Sequence, residues 1–385
     1  MTGPARPGLS PLRFLIILGI ANHMVLAGSR VAVSLDALAL GASTAVVGAL
    51  MALYAVLPAL LAISAGRFAD RFGVRKPMLT GSCGLFLAGL LALAMPGLPT
   101  LFATTTLIGV SFMIFQVANQ YATGELGGPE ARVRNFGYLA LGYSTSSIAG
   151  PLMAGFLIDH AGFRTTFAAL AILPLIPIGL LASDRLRLPG PHPAHDARAT
   201  TSALDLMQHP DMRRAFAINA LLTMAWEVHT MFVPIYGNGI GLSASRIGLI
   251  LAAFATATFL VRLATPLIIQ RVSEQQVLTI ALFVGGAVYL AFPFMRNTGT
   301  LMALSFTLGL GLGIGQPMVM AILHANAPPG RMGEATGLRM SLINSMSVAV
   351  PLLFGAAGGT IGLAPVLWSV GVFLTTGGWL TRKHA

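Results

Sequence analysis

Residues 66–76 read Gly66-Arg67-Phe68-Ala69-Asp70-Arg71-Phe72-Gly73-Val74-Arg75-Lys76, and the rest of the chain can be organised outward from them. Arg67, Asp70, Arg71, Arg75 and Lys76 crowd together in a chain of which only 9% is charged. Apolar runs flank them, at 44–65 and 77–95. Each is about the roughly 20 residues that a helix needs to cross a bilayer. The stretch is therefore read as a short polar loop between two membrane spans. Gly66 allows a close backbone approach at the end of the preceding span. Asp70 can accept from a neighbouring arginine or face a helix N-terminus, whose dipole favours an anion.

Apolar runs of the same kind recur on both sides of this loop. The expected spans are 12–36, 44–65, 77–95, 100–122, 136–158 and 165–183, then 213–237, 245–269, 277–295, 300–323, 338–358 and 363–381. The first is expected to be a retained span, because its apolar run is far longer than the core of a removable signal. Over the whole chain 55% of residues are hydrophobic and the mean hydropathy is +0.80. A soluble domain carries about 25% charged residues, so a water-soluble enzyme, a nucleic-acid-binding module and a disordered chain are excluded. The single cysteine, Cys83, permits no intrachain disulfide and no cysteine-based metal site. The stretch 184–212, polar and proline-rich around PGPHPAHDARATT, reads as a linker between six spans and six. The expected division is 1–183, linker 184–212, and 213–385, with a short surface helix over 202–208.

The net charge of +11 is a topology signal. With both termini placed in the cytoplasm, the loops on the opposite side hold only Arg164, Arg246 and Arg296, and Arg30 and Arg262 fall within spans. The other Arg and Lys residues, Arg339 among them, lie on the cytoplasmic side, the bias expected of a plasma-membrane protein. Nothing then remains to support nucleic-acid binding.

The two halves match at a constant offset of 200. Gly41 pairs with Gly241, Ser43 with Ser243, Gly48 with Gly248, Arg71 with Arg271, Gly109 with Gly309, Gln116 with Gln316, Pro151 with Pro351 and Gly155 with Gly355. Six spans is an even number, so both halves insert the same way up. The pseudo-twofold axis then runs along the membrane normal, as in the parallel repeats of many secondary transporters.

The 66–76 loop resembles motif A, G-x-x-x-D-R-x-G-R/K-R/K, of the major facilitator superfamily, and the likeness extends through all twelve spans. Val74 departs from it, standing where that family usually has a basic residue. The resemblance implies an all-α membrane protein, with twelve transmembrane helices in two pseudo-symmetric six-helix bundles, of the drug/proton-antiporter-like branch. It also implies that Gly66, Asp70, Arg71, Gly73 and Arg75 form a gate, with Asp70 meeting the N-terminus of span 11 near Leu338. Span 5 resembles the family's antiporter motif C through Gly142, Gly150, Pro151 and Gly155, with Ser146 and Ala154 replacing glycines. Plain helix packing would use the same small residues.

Ionisable groups at membrane depth are costly and usually face the bundle interior or a wet cavity. His23 and Arg30 share a helix face in span 1, since seven residues turn a helix by about 700°. Arg30 stands roughly 25 Å further along that helix than Arg13, where snorkelling to the interface is an alternative. The offset carries this stripe onto Thr223, Glu227, Thr230 and Pro234 of span 7. Glu227, an acid well inside a span, is the expected proton carrier or the structural partner of Arg30 or His23. His229 lies on the opposite face and is expected to be packed. Gln116 and Asn119 of span 4, Gln316 of span 10 and Asn344 of span 11 complete the expected binding set, because the resemblance places spans 1, 4, 7 and 10 around the cavity. Phe112, Phe115, Trp226 and Tyr236 are candidates for its apolar wall. Arg262 reads equally as an inner-gate residue or a snorkelling one.

The expected function is secondary active transport of a small organic solute by alternating access, as proton-coupled efflux across a bacterial-type inner membrane. Uptake or exchange of an organic anion held by Arg30 is the alternative, and a non-transporting receptor or scaffold the second. No cofactor, metal or enzymatic constellation is expected. The expected partners are the solute, protons and the lipid bilayer, and the chain is expected to be a monomer.

Overall fold

A computed structural model of the chain describes residues 11–126, 128–183, 188, 203–268, 270–327 and 332–382. Among these residues every regular element is helical. In order they are α1 (Pro11–Ala39), α2 (Thr44–Phe72), α3 (Arg75–Ala94), α4 (Leu98–Glu125), α5 (Gly128–Ile172), α6 (Leu175–Ala182), α7 (Pro210–Gly239), α8 (Ala244–Ile268), α9 (Glu274–Ala291), α10 (Thr298–Asn326), α11 (Met332–Thr360) and α12 (Leu363–Arg382). Eleven stretches are long and apolar enough to cross a membrane, and one of them, Arg134–Ala182, has 49 residues. That is more than twice the length of one crossing. Gly162, at φ 78° and ψ 173°, breaks it into two arms. Its second arm runs on into α6 as the sixth crossing, which brings the crossings to twelve.

The helices overrun the apolar spans at the end of the molecule that carries the 72–75 turn. There α2 continues to Phe72, α5 begins at Gly128 and α10 continues to Asn326. Hydropathy marks the hydrocarbon slab, whereas backbone hydrogen bonding carries a helix on into charged sequence. Of the expected linker, 184–187 and 189–202 lie outside the described residues. Ala203–Gln208 form a 3-10 turn that seats Leu206 in the core, and α7 starts with proline at its first turn.

The repeat is visible in the backbone. Gly41 and Gly241 sit at φ 80° and 79°, and Gly162 and Gly362 at 78° and 87°, a left-handed conformation that glycine adopts without a Cβ penalty. Ser43 and Ser243 each accept a backbone N–H of the following helix's first turn. Outward-facing side chains are large and apolar, with Leu60, Leu267 and Phe294 about 70% exposed, as a lipid-facing belt requires.

Two seams join the halves, and the repeat relates them. In one, α2 packs on α11: a Cβ on Gly48 would stand 2.2 Å from the Pro351 carbonyl oxygen, and Thr44 donates to the Gly355 carbonyl at 3.1 Å. In the other, α8 packs on α5: a Cβ on Gly248 would stand 2.6 Å from the Pro151 carbonyl oxygen, and one on Gly155 would stand 2.4 Å from that of Ala244. Both seams lie toward the end away from the 72–75 turn. At the turn's own end, a Cβ on Gly66, Gly137 or Gly337 would meet open space. Among the described residues the two halves are thus zipped at one end, whereas at the other these three glycines meet no neighbour. The close approach expected at Gly66 is not made among the described residues.

Candidate functional site

Between the halves lies a cavity of about 320 Å³, within the usual range for small-molecule sites. Its wall comes from α1, α5, α7 and α8: His23 and Arg30, Ser144 and Ser147, Trp226 and Thr230, Phe254 and Arg262. Small-residue packing sets this arrangement. A Cβ on Gly150 would lie 2.9 Å from the Gly28 nitrogen, and one on Gly142 2.9 Å from Ile16 Cγ2, so α5 lies tight on α1. Pro151 and Gly155 meanwhile face α8. The span 5 motif therefore serves two contacts, one inside the first half and one across to the second.

Arg30 and Glu227 meet across the halves. Arg30 Nη1 stands 3.4 Å from Glu227 Oε2, with the side chains 22% and 11% exposed. Ser347 of α11 donates to the other carboxylate oxygen at 2.8 Å. The Arg30 guanidinium lies over the Tyr54 ring, 5.6 Å from its centroid, and Tyr54 donates to Ser29 at 3.0 Å. Arg30 is thus paired and stacked inside the protein, and snorkelling does not describe it. The repeat places Ala27, Arg30 and Ser147 opposite Glu227, Thr230 and Ser347, so one half supplies the cation and the other the acid. Ser347 escaped sequence reading, since a hydroxyl in an apolar span has no pattern of its own; its counterpart Ser147, facing the cavity, was the available signal.

His23 pairs with Ser146 of α5, Nδ1 to Oγ 2.7 Å, and packs against Phe112 and Tyr143 with ring centroids 5.4 and 5.0 Å away. His229 is packed, as expected: its Nε2 lies 3.0 Å from Ser305 Oγ and its ring stacks on Phe254 at 4.3 Å. Of the aromatic candidates, Trp226 lines the cavity. Phe115 is fully buried, and Tyr236 donates to the carbonyls of Pro293 and Met295.

The polar residues of α4 and α10 do not wall this cavity. Asn119 is buried and donates to Tyr143 at 3.3 Å. Gln116 and Asn344 are half-buried, and neither is part of the lining. Gln316 is held by Arg339, whose Nε also donates to Asn219 at 3.1 Å. Arg339, counted from the sequence as a cytoplasmic-face charge, is only 6% exposed, since its guanidinium turns inward to these two amides. Its repeat counterpart is Leu139, which leaves Gln116 without the same partner. The physical reason for the departure from spans 4 and 10 is the direction of packing. Gly109 of α4 abuts Tyr54 of α2, Gly309 of α10 abuts Phe254 of α8, and Asn119 lies against Gly19 of α1, so these faces of α4 and α10 are taken up by packing within their own halves.

In the loop at residues 72–75, Gly73 takes φ 73° between α2 and α3. Val74 is fully buried, which accounts for an apolar residue at that position. Arg71 and Lys76 each lie over the Phe72 ring at 5.2 Å. The Asp70 side chain lies outside the described residues. At the far end of the molecule, Asp159 receives the Ala244 and Ser245 backbone N–H groups at 2.9 and 2.8 Å and so caps α8 across the halves.

A family model described as the Major Facilitator Superfamily matches residues 15–351. The tetracycline resistance protein, class G, of Vibrio anguillarum is 26% identical over 318 residues, 80% of this chain and 79% of that protein. The class C tetracycline resistance protein of Escherichia coli is 25% identical over 315 residues, with 80% and 79% covered. The multidrug resistance protein MdtG of Klebsiella pneumoniae is 24% identical over 256 residues, with 63% and 58% covered. Among solved structures, the peptide transporter POT in complex with sulfate aligns with a TM-score of 0.79 at 16% identity, covering 97% of this chain and 94% of that one. The nucleoside transporter NupG aligns at 0.76 and 14%, covering 97% and 99%. At such identities the structures speak to the fold.

Proposed function

This chain belongs to the major facilitator superfamily, and from that premise we propose that it exports a small organic solute in exchange for protons. It is a membrane-embedded secondary transporter and not an enzyme. In the proposed cycle the bundles 1–183 and 213–385 rock about the central cavity, in a bacterial-type inner membrane with both termini cytoplasmic. The zipped end is then the outer one, and the arrangement described above is inward-open. The relatives named for resistance to tetracycline and to multiple drugs support export.

One observation carries the reading: the Arg30–Glu227–Ser347 cluster bridges the two halves at the edge of the cavity. Protonating Glu227 removes the charge that holds Arg30, and deprotonation restores it, so proton binding is tied to how the halves are joined. Uptake or exchange of an organic anion is the second reading, favoured by the presence of two arginines and no carboxylate among the described lining residues.

Reconstitution with an imposed pH gradient tests the first. Glu227→Gln is expected to abolish proton-driven accumulation while leaving substrate binding or exchange measurable. Accumulation by the variant, or indifference of the wild type to the gradient, would reduce Glu227 to a structural partner of Arg30.

A further inference from the structure

The cavity carries a positive charge that the Arg30–Glu227 pair does not balance. Arg262 enters it from α8, and its Nη1 donates to Ser144 Oγ of α5 at 3.2 Å. Among the described residues no carboxylate forms an ion pair with it. A guanidinium has five N–H donors in a fixed fork that matches a carboxylate, and this one spends a single bond on a neutral hydroxyl. The repeat does not call for a cation here, since the counterpart of Arg262 is Ala62. An unpaired charge at membrane depth is expensive to maintain, which makes it a mark of function. Arg30 has less need of an external anion, because Glu227 already neutralises it. About two turns before Arg262 on the same helix, and lining the same cavity, Phe254 meets Trp226 edge to face, with centroids 4.7 Å apart, as an aromatic wall.

We propose that Arg262 is the anion ligand of this cavity and that the transported class is an aromatic organic anion, its carboxylate on Arg262 and its ring against Trp226 and Phe254. The proposal deepens the transport reading and rests on it for the use of the site. The charge balance sets the selectivity: a cationic solute would add a second like charge in a half-buried space, and a neutral one would leave Arg262 uncompensated. It also gives the ligand a structural effect. Ser144 and the incoming carboxylate compete for the same guanidinium, so binding undoes one tie between α5 and α8.

The test uses the purified full chain and three probes of one shape: 2-naphthoate, 2-naphthamide and 2-naphthylmethylammonium. Affinity is read from quenching of tryptophan fluorescence and, independently, from the shift in melting temperature. The wild type is expected to bind the carboxylate best and the ammonium worst. Arg262→Gln should weaken naphthoate binding about tenfold or more, the loss of a hydrogen-bonded charged partner, and erase the ranking. Arg262→Lys should keep the ranking at reduced affinity. Ser144→Ala, which removes the competitor, should bind naphthoate at least as tightly as the wild type. The proposal is overturned if naphthoate does not bind, if the ammonium probe binds as well, or if folded Arg262→Gln binds naphthoate within twofold of the wild type. A weaker Ser144→Ala would overturn the competition. Flux of the same probes into proteoliposomes separates the two readings. The expected binding order with no flux keeps the anion site and removes transport, whereas proton-driven flux of the ammonium probe without naphthoate binding does the reverse.

Discussion

Replacing Asp159 by alanine should open the zipped end of the transporter. The two α8 backbone amides that Asp159 receives, on Ala244 and Ser245, belong to the other half of the molecule. In the state with this end open, the carboxylate and the α8 N-terminus separate, so the bond counts only toward the closed state. Removing a side-chain helix cap costs about 1 kcal/mol, and an anion at a helix N-terminus adds roughly 0.3–1 kcal/mol when exposed. Asp159 is solvent-exposed, so the dipole contribution is discounted for screening and the cap alone, about 1 kcal/mol, is retained. That corresponds to a roughly fivefold shift in the ratio of closed to open. The repeat offers no second carboxylate, since the counterpart position is Gly359. The population can be read by spin-label distances between Leu40 and Ile361, exposed residues flanking the other seam, in a Cys83→Ser background. Asp159→Asn, which keeps an acceptor but loses the charge, should fall between alanine and wild type. High salt should move the wild type toward the variants, because the Debye length shrinks to about 3 Å at 1 M. A distance distribution identical in all three proteins at low salt would refute the latch.

Gly248→Ala and Gly48→Ala set a Cβ against backbone carbonyls that cannot swing away; both variants should express yet stay accessible to impermeant thiol reagents from the outer face, and normal protection there would show that the seams are looser than their spacing. Arg339→Ala strips two amides of a charged partner and should destabilise the protein by about 2 kcal/mol, with an unchanged melting midpoint counting against a buried tie. Asp70→Asn should slow transport in proteoliposomes without loss of folding, and wild-type turnover would remove motif A from the gate.

Much of the fold could be read in one dimension. A crossing of hydrocarbon demands an apolar run of fixed length, so the crossings were legible, including the pair that the structure joins through Gly162. The offset of 200 survived in Gly41, Gly162 and their partners because a turn with positive φ tolerates little else. The facing of Arg30 and Glu227 was also legible, since helical periodicity and the repeat are both arithmetic on residue numbers. Which side chains then touch was decided elsewhere. Gln116 and Gln316 are identical in sequence position and differ in environment, because residue 339 is arginine where residue 139 is leucine. Arg262 could be read as snorkelling or gating until α5 brought Ser144 to it. Asp159 gained its role only when α8 arrived with unsatisfied amides. Hydropathy and periodicity describe how each helix sits against lipid and along its own axis. Contacts between helices far apart in the chain depend on the rotation and approach of rigid bodies, and those are set by small-residue packing summed over the whole bundle.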